Sequence, residues 1–141
     1  FVEQDPKEKK IRMILNFGHT VGHALEKFNN YKEAHGVCIG IGMLIEAKIS
    51  TKVHNLTNSD YIRVKEILIK YKLLNLKILN KDIKALVGLM KLDKKNKSTK
   101  ITFSLPKKIG IMQKKKGSFS VEINESLIKT SIKEVLDEFK N

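Results

Sequence analysis

The sequence is poor in several residue types, and each shortage narrows the possible folds and functions. Its 141 residues include no tryptophan, two prolines and one cysteine. A single cysteine, Cys38, cannot form an internal disulfide, which favours a reducing compartment, and its place in an apolar run predicts a core residue. The longest apolar run, Val37 to Ile45, has nine residues, whereas a membrane span needs about 20. We therefore expect no membrane segment, no secretory signal and a cytoplasmic location.

Arginine is also scarce. The 28 basic side chains comprise 26 lysines and two arginines, and with 15 acidic residues they give a net charge of +13. Nine lysines lie between Lys94 and Lys116, where no acidic residue occurs. Such a run attracts phosphates, so a lysine-rich nucleic-acid-binding module is one hypothesis. Arginine is preferred for forked contacts to phosphates and bases, however, and no aromatic residues alternate with these lysines to stack on bases. We favour a solvated lysine face with one or two lysines that bind an anionic substrate.

Helical patterns dominate the chain, whose length and 41% hydrophobic content suit one domain. Apolar spacing and capping residues predict helices at about 5–16, 20–28, 35–53, 60–73, 80–92 and 124–139. The helix from 35 to 53 is apolar nearly all round until Glu46, so it should be central; His54, beyond its end, is expected at the surface. Alternating apolar residues near 101–105 and 119–123 predict a small hairpin or two to three short strands. The predicted fold is one mainly α domain with short strands near residues 100–123.

Three of the four histidines lie within 25 residues. His19 and His23 are four apart, so they share one face of a helix. The polar stretch Asn29 to Glu33 predicts a chain reversal that would bring His35, at the start of the next helix, back toward them. Imidazoles from two helices suit zinc, which takes three protein ligands in catalytic sites and keeps one position for water or substrate. Spacing alone leaves open whether these histidines bind a metal, and which of them would do so.

Polar and small residues surround the histidines. Arg12 and Asn16 are four apart and would share a face of the preceding helix, where they could bind an oxygen-rich ligand. Glycines that let backbone or ligand come close occur beside the histidines and in the following helix: Gly18, Gly22, Gly36, Gly40 and Gly42. None of them forms a Gly-x-Gly-x-x-Gly turn after a strand, so no dinucleotide-binding domain is expected within this chain.

The histidine motif resembles a known family signature. It reads Leu-Asn-Phe-Gly-His-Thr-Val-Gly-His-Ala-Leu-Glu from Leu15 to Glu26 and His-Gly-Val-Cys-Ile-Gly-Ile-Gly-Met from His35 to Met43. These runs are similar to the signature of the 3-dehydroquinate synthase family, and Leu92 to Asn96 resembles that family's Asp-Lys-Lys segment. Two positions depart from the pattern. Val21 stands where the family usually has phenylalanine, a change in packing, and Val37 stands where it usually has glutamate, which removes a polar group near the metal-binding His35.

The resemblance implies a function. Members of the family are lyases that convert 3-deoxy-D-arabino-heptulosonate 7-phosphate, a phosphorylated keto-sugar acid, to 3-dehydroquinate and phosphate in the shikimate pathway of aromatic amino acid biosynthesis. They use NAD and a metal, Zn²⁺ or alternatively Co²⁺. By resemblance, residues 1–141 are the helical carboxyl-terminal domain, and an amino-terminal NAD-binding domain is expected upstream of Phe1. We then expect the isolated fragment to be inactive and the full-length protein to be a homodimer without membrane contact.

The resemblance also implies residue roles. His19 and His35 match the family's metal-binding histidines, whose third partner is a glutamate of the other domain. His23 matches a catalytic histidine that contacts substrate and takes part in proton transfer. The implied substrate-binding residues are Arg12, Asn16, His23, Lys94 and Lys95, and of the two lysines we favour Lys94. The alternatives within the fold are another sugar phosphate cyclase and a glycerol-dehydrogenase-like metal alcohol dehydrogenase.

Overall fold

The structure, a computed structural model, describes residues 3, 11–53, 56–79, 82–92 and 100–140, and the side chains of residues 11 and 12 lie outside this description. The described residues form five α-helices: α1 His19–Phe28, α2 His35–Val53, α3 Asn58–Lys70, α4 Ile83–Lys91 and α5 Glu125–Glu138. They also form two 3₁₀ helices, Ile11–Asn16 and Leu76–Ile78, and four strands: β1 Ile101–Phe103, β2 Pro106–Lys108, β3 Ile111–Met112 and β4 Val121–Ile123. The prediction of a mainly helical domain with short strands near residues 100–123 is confirmed.

The strands form two antiparallel pairs. β1 pairs with β4, with Ile101 opposite Ile123, and β2 pairs with β3. The tight β2–β3 connection depends on Gly110, whose φ of +86° is open to glycine at no steric cost. The β1–β4 pair also contacts α1, because the Thr20 hydroxyl donates to the carbonyl of Thr102 over 2.9 Å.

Helix α2 lies at the centre of the core, as its nearly uniform apolar character predicts. It packs against α1, α3 and α5. From Cys38 to Ser50 only Met43 and Lys48 are more than slightly exposed, and Cys38 is fully buried, which confirms the prediction of a core cysteine. Each large side chain that α2 buries contributes about 1.5–3 kcal/mol. Among the described residues, no helix is long and apolar enough to cross a membrane.

Side-chain caps mark the amino ends of α3 and α5. Thr57 accepts from the amide of Asp60 at the start of α3, and Asn124 accepts from the amide of Leu127 over 2.9 Å at the start of α5. Each cap satisfies a backbone donor that the first helical turn leaves without a partner. Helix α3 ends at Lys70, three residues before the predicted end, because Lys72 adopts a left-handed conformation with φ +57°.

Glycines bring α1 and α2 into backbone contact. A Cβ added at Gly42 would fall well inside the van der Waals radius of the Gly18 carbonyl oxygen, and one added at Gly18 would lie 2.6 Å from Met43. Gly40 faces the backbone of Leu73 in the same way, at 2.7 Å. The predicted close approach is therefore confirmed at these positions. No such backbone approach occurs at Gly36, where an added Cβ would meet only ordinary contact with Leu73 at 3.9 Å.

Candidate metal centre

The three clustered histidines lie on two consecutive helices, α1 and α2. His19 and His23 lie on α1, and His35 is the first residue of α2. The predicted reversal is present: Asn30 and Tyr31 both adopt left-handed φ values, 53° and 57°. Because the turn is short and the helices touch at their glycines, the first turn of α2 returns to the histidine face of α1.

The rings lie close together. Ring centroids are 5.2 Å apart for His19 and His23, 5.8 Å for His19 and His35, and 6.4 Å for His23 and His35. Two imidazoles that share a tetrahedral zinc through nitrogens at about 2.0–2.1 Å have centroids about 5 Å apart. A small rotation would thus let a pair of these rings bind one ion. Within the part of the chain that the structure describes, no three His, Cys, Asp or Glu side chains already form a metal-binding group.

Both predicted metal ligands, His19 and His35, make a hydrogen bond at Nδ1, which leaves Nε2 for a metal. Nδ1 of His19 lies 3.2 Å from the carbonyl oxygen of Phe17, and Nδ1 of His35 lies 2.7 Å from Oε1 of Glu26. Both partners are acceptors, so each Nδ1 carries the proton and donates it. The lone pair of the neutral ring is then on Nε2, the atom that would bind a metal. This donor chemistry fits a divalent metal held by two imidazoles.

A buried carboxyl group supports the helix that carries two of these histidines. Glu46 of α2 has no exposed surface, and its two oxygens accept from the amide of Gly18 at 2.5 Å and that of Val21 at 3.2 Å. It therefore caps the amino end of α1 from the neighbouring helix. Burial raises the pKa of Glu46 to about 8, although hydrogen bonds from the backbone of Gly18, Val21 and Thr20 act to lower it.

Cys38 lies one turn after His35 and is fully buried in the core. Burial raises the pKa of its thiol, and the carboxylates of Glu26 and Glu33 raise it further.

The segment before α1 differs from its prediction. Of the helix predicted over about 5–16, residues 5–10 lie outside the described residues, and Ile11–Asn16 is a 3₁₀ helix, not an α-helix. With three residues per turn, positions four apart are offset by about a third of a turn, so the argument that put Arg12 and Asn16 on one face is wrong for this segment. Short 3₁₀ turns are frequent just before an α-helix, and Gly18 starts α1 two residues later. Asn16 is half-buried at the end of this segment, close to the histidines in sequence. The side chain of Arg12 lies outside the described residues.

Three further predicted positions also lie outside the described residues: Lys94, Lys95 and His54. The described members of the lysine run, at 100, 107–108 and 114–116, are all exposed. Their exposure agrees with the interpretation as a solvated face.

Two glutamates of the site had no predicted role, Glu26 and Glu46. Glu26 follows His19 by seven positions and His23 by three, a helical spacing that could have indicated a shared face. Glu46 interrupts an otherwise apolar helix, which is a signal of a buried polar contact. Its partners lie 25 and 28 positions away, so only the packing of the two helices identifies them.

Comparison with known proteins agrees with the motif. The family model described as 3-dehydroquinate synthase C-terminal matches residues 1–96. The 3-dehydroquinate synthase of Ruminiclostridium cellulolyticum is 41% identical over 109 residues, 77% of this chain and 30% of that protein. That of Thermodesulfovibrio yellowstonii is 38% identical over 139 residues, 97% of this chain and 36% of that protein. A crystal structure of 2-deoxy-scyllo-inosose synthase complexed with carbaglucose-6-phosphate, NAD+ and Co2+ is similar in fold, with a TM-score of 0.78 and 25% identity over 90% of this chain and 35% of that chain.

The matches thus cover about a third of the length of these relatives. What it shares with them is the part that carries the histidines.

Proposed function

The chain belongs to the 3-dehydroquinate synthase family, and we propose that it supplies the metal- and substrate-binding part of an enzyme that converts 3-deoxy-D-arabino-heptulosonate 7-phosphate to 3-dehydroquinate and phosphate. The observation that carries the proposal is the convergence of His19, His23 and His35 at the contact of α1 and α2, with centroids 5.2–6.4 Å apart. An enzyme of this class belongs to the shikimate pathway, and it would need a metal that acidifies a substrate hydroxyl and a group that transfers protons.

His19 and His35 would hold the metal, Zn²⁺ or Co²⁺. Their support is the hydrogen bond that each makes at Nδ1, because it leaves Nε2 for the ion. A metal held there would acidify a substrate hydroxyl, which would assist hydride transfer to NAD from the carbon that bears it. Since a catalytic metal normally has three protein ligands, the third would come from a part of the protein outside residues 1–141.

His23 would move the proton. It lies one turn along α1 from His19, and its ring is 5.2 Å from that of His19, so a substrate oxygen between them would be within reach of both. An imidazole is suited to this step because its ordinary pKa, about 6.5, lies near physiological pH.

The other predicted contacts are to the substrate's anionic groups. Arg12 and Asn16 precede α1 and would bind oxygens of the substrate, and Lys94 or Lys95 would bind its carboxylate or phosphate. The chain's net charge of +13 favours a dianionic substrate in general terms.

The complete enzyme would contain more than this chain. We expect an NAD-binding domain before residue 1, and a cytoplasmic homodimer, which sedimentation of the full-length protein would test. A different sugar phosphate cyclase is the second candidate, because the similar crystal structure is a 2-deoxy-scyllo-inosose synthase. The 3-dehydroquinate synthases, at 38–41% identity, favour the first.

The experiment is a phosphate-release assay with the full-length protein, NAD and zinc. The heptulosonate phosphate should be turned over. Glucose 6-phosphate, whose carbocyclic analogue is bound in the similar crystal structure, should not be. Turnover of glucose 6-phosphate alone would reverse the assignment, and turnover of neither would refute both candidates.

Histidine variants of the same protein separate the two proposed roles, metal binding and proton transfer. His23→Ala should lower kcat by about 10²–10⁴ and leave zinc affinity, measured by calorimetry, nearly unchanged. His19→Ala and His35→Ala should both lose zinc binding. His54 is the fourth histidine of residues 1–141, and His54→Ala is the control, which should match the wild type in both measurements. Normal zinc affinity in the His19 or His35 variant would contradict the proposed metal centre.

A further inference from the structure

The carboxylate of Glu26, on α1, lies directly against His35, a proposed metal ligand on α2. Its Oε1 lies 2.7 Å from Nδ1 of His35, and its side chain is only 16% exposed. We propose that Glu26 is a positioning residue, which holds the His35 ring and its tautomer so that Nε2 presents its lone pair to the metal. This inference rests on the proposed metal centre.

The exposure of His35 is the reason that a positioning group is needed. The His35 side chain is 61% exposed, so little packing limits its rotation, and an imidazole in water can carry its proton on either nitrogen. His19 is half-buried and donates to a backbone carbonyl within its own segment. His35 begins α2, and its ring is held through its contact with α1.

The contact sets chemistry as well as orientation. A carboxylate accepts only, so His35 must donate from Nδ1 for the hydrogen bond to form. The negative charge makes the opposite nitrogen a better electron donor, the effect known for carboxylate–histidine–metal arrangements. Glu26 would thereby raise the metal affinity of His35 without contacting the ion itself.

Glu33 provides a matched control within the same region. It and Glu26 both act on Cys38 electrostatically, so the two carboxylates lie in one neighbourhood. The oxygens of Glu33 are engaged elsewhere: Oε2 accepts from Asn75 at 3.0 Å and Oε1 from the amide of Ala34 at 3.1 Å. Loss of Glu33 therefore removes the same charge without removing a hydrogen bond to His35.

The test measures metal affinity directly, by titrating Co²⁺ into the metal-free full-length protein and following its visible absorption against a competing chelator. Glu26→Ala should weaken binding by roughly 10–100-fold, the usual cost of losing a partner of a metal-bound histidine. Glu26→Gln should weaken it less, because the glutamine carbonyl can still accept from Nδ1. Glu33→Ala should change it by less than about twofold, and His35→Ala should lose more than Glu26→Ala.

The outcomes separate this inference from the proposed function. Wild-type affinity in Glu26→Ala, with binding lost in His35→Ala, would overturn the positioning role and leave the metal centre standing. Equal losses in the Ala and Gln variants would also overturn it, since they would point to Glu26 as a direct ligand. Unchanged binding in His35→Ala would refute both the metal centre and the inference. Alanine favours the helical conformation of residue 26, and circular dichroism checks that each variant folds.

Discussion

Glu46 is a carboxyl group without any solvent exposure, and its position is explained by what it caps. The first amides of a helix have no partners within the helix, and here a side chain of α2 accepts from two of them, at Gly18 and Val21. The two amides flank His19 in sequence. Because burial opposes ionisation of the Glu46 carboxyl, the stability of the helix pair depends on pH.

We expect Glu46→Gln to remove a pH-dependent part of the stability. The pKa of Glu46 is raised from 4.5 to about 8 in the folded chain, so between these values the folded state keeps a proton that the unfolded state has released. Stability from this group is complete below about pH 4.5 and falls as pH rises toward 8, by at most about 1.4 kcal/mol per pH unit. Glutamine, which has no proton to lose, should flatten this slope.

Denaturant unfolding of the 141-residue chain at pH 5, 6, 7 and 8 measures the effect. The difference between wild type and Glu46→Gln cancels the contribution of the histidines, which titrate in the same range and are present in both. The wild type should lose stability relative to the variant as pH rises. Parallel profiles would mean that Glu46 is ionised in the folded state throughout this range.

The residues of the site differ in how far the sequence could predict them. The grouping of His19, His23 and His35 followed from a four-residue spacing and a polar turn, both local features. The partners of Glu26 and Glu46 depend on how two helices cross, which no local pattern determines. The 3₁₀ form of Ile11–Asn16 was missed because an apolar pattern with a capping signal is also typical of an α-helix.

At the scale of elements, the site depends on how closely α1 approaches α2. Side chains normally keep helix axes 8–10 Å apart, whereas here Gly42 of α2 meets the backbone of Gly18 directly. The sequence indicated that α2 is central because its apolar residues cover nearly its whole circumference. The glycines in that apolar surface indicated close packing, but which helix fills each gap was visible only in the structure.

Gly42→Ala should separate the two helices. Its Cβ would overlap the Gly18 carbonyl, and the neighbouring Gly22 amide would be only 2.9 Å away, so backbone must move. Overpacking of this kind costs about 1–3 kcal/mol or more, and we expect the same change to weaken zinc binding because His35 moves with α2. Thermal unfolding and zinc calorimetry measure the two effects.

Gly88→Ala is the matched control for that substitution. Gly88 also lies inside a helix, α4, but an added Cβ would meet no atom within 4 Å among the described residues. Alanine there should stabilise the chain by about 0.5–1 kcal/mol, because it favours the helix without a clash. If both variants were equally stable, the close approach of α1 and α2 would not be a constraint on position 42.

At the scale of the whole molecule, α5 closes the core that α2 fills. Glu138 near its end accepts from Lys48 of α2 at 2.9 Å and from Lys65 of α3 at 2.8 Å, and the Tyr61 hydroxyl donates to it at 3.0 Å. These contacts join α2, α3 and α5 around the Glu138 carboxylate. The described lysines of the 94–116 run are exposed, and one of them, Lys114, lies over the Phe119 ring at 4.9 Å from its centroid.

The 141-residue chain should bind zinc more weakly than the full-length protein and should release no phosphate from the heptulosonate phosphate. It offers two imidazoles positioned as ligands, His19 and His35, whereas a catalytic zinc takes three protein ligands. Loss of a direct ligand should cost more than the roughly 10–100-fold that loss of a ligand's hydrogen-bond partner costs. Calorimetry of both proteins, each beside its His19→Ala variant, makes the comparison: the variant should abolish the weak binding as well as the strong. Equal affinities would mean that residues 1–141 contain the whole metal site, and phosphate release by this chain alone would mean that they contain the catalytic apparatus too.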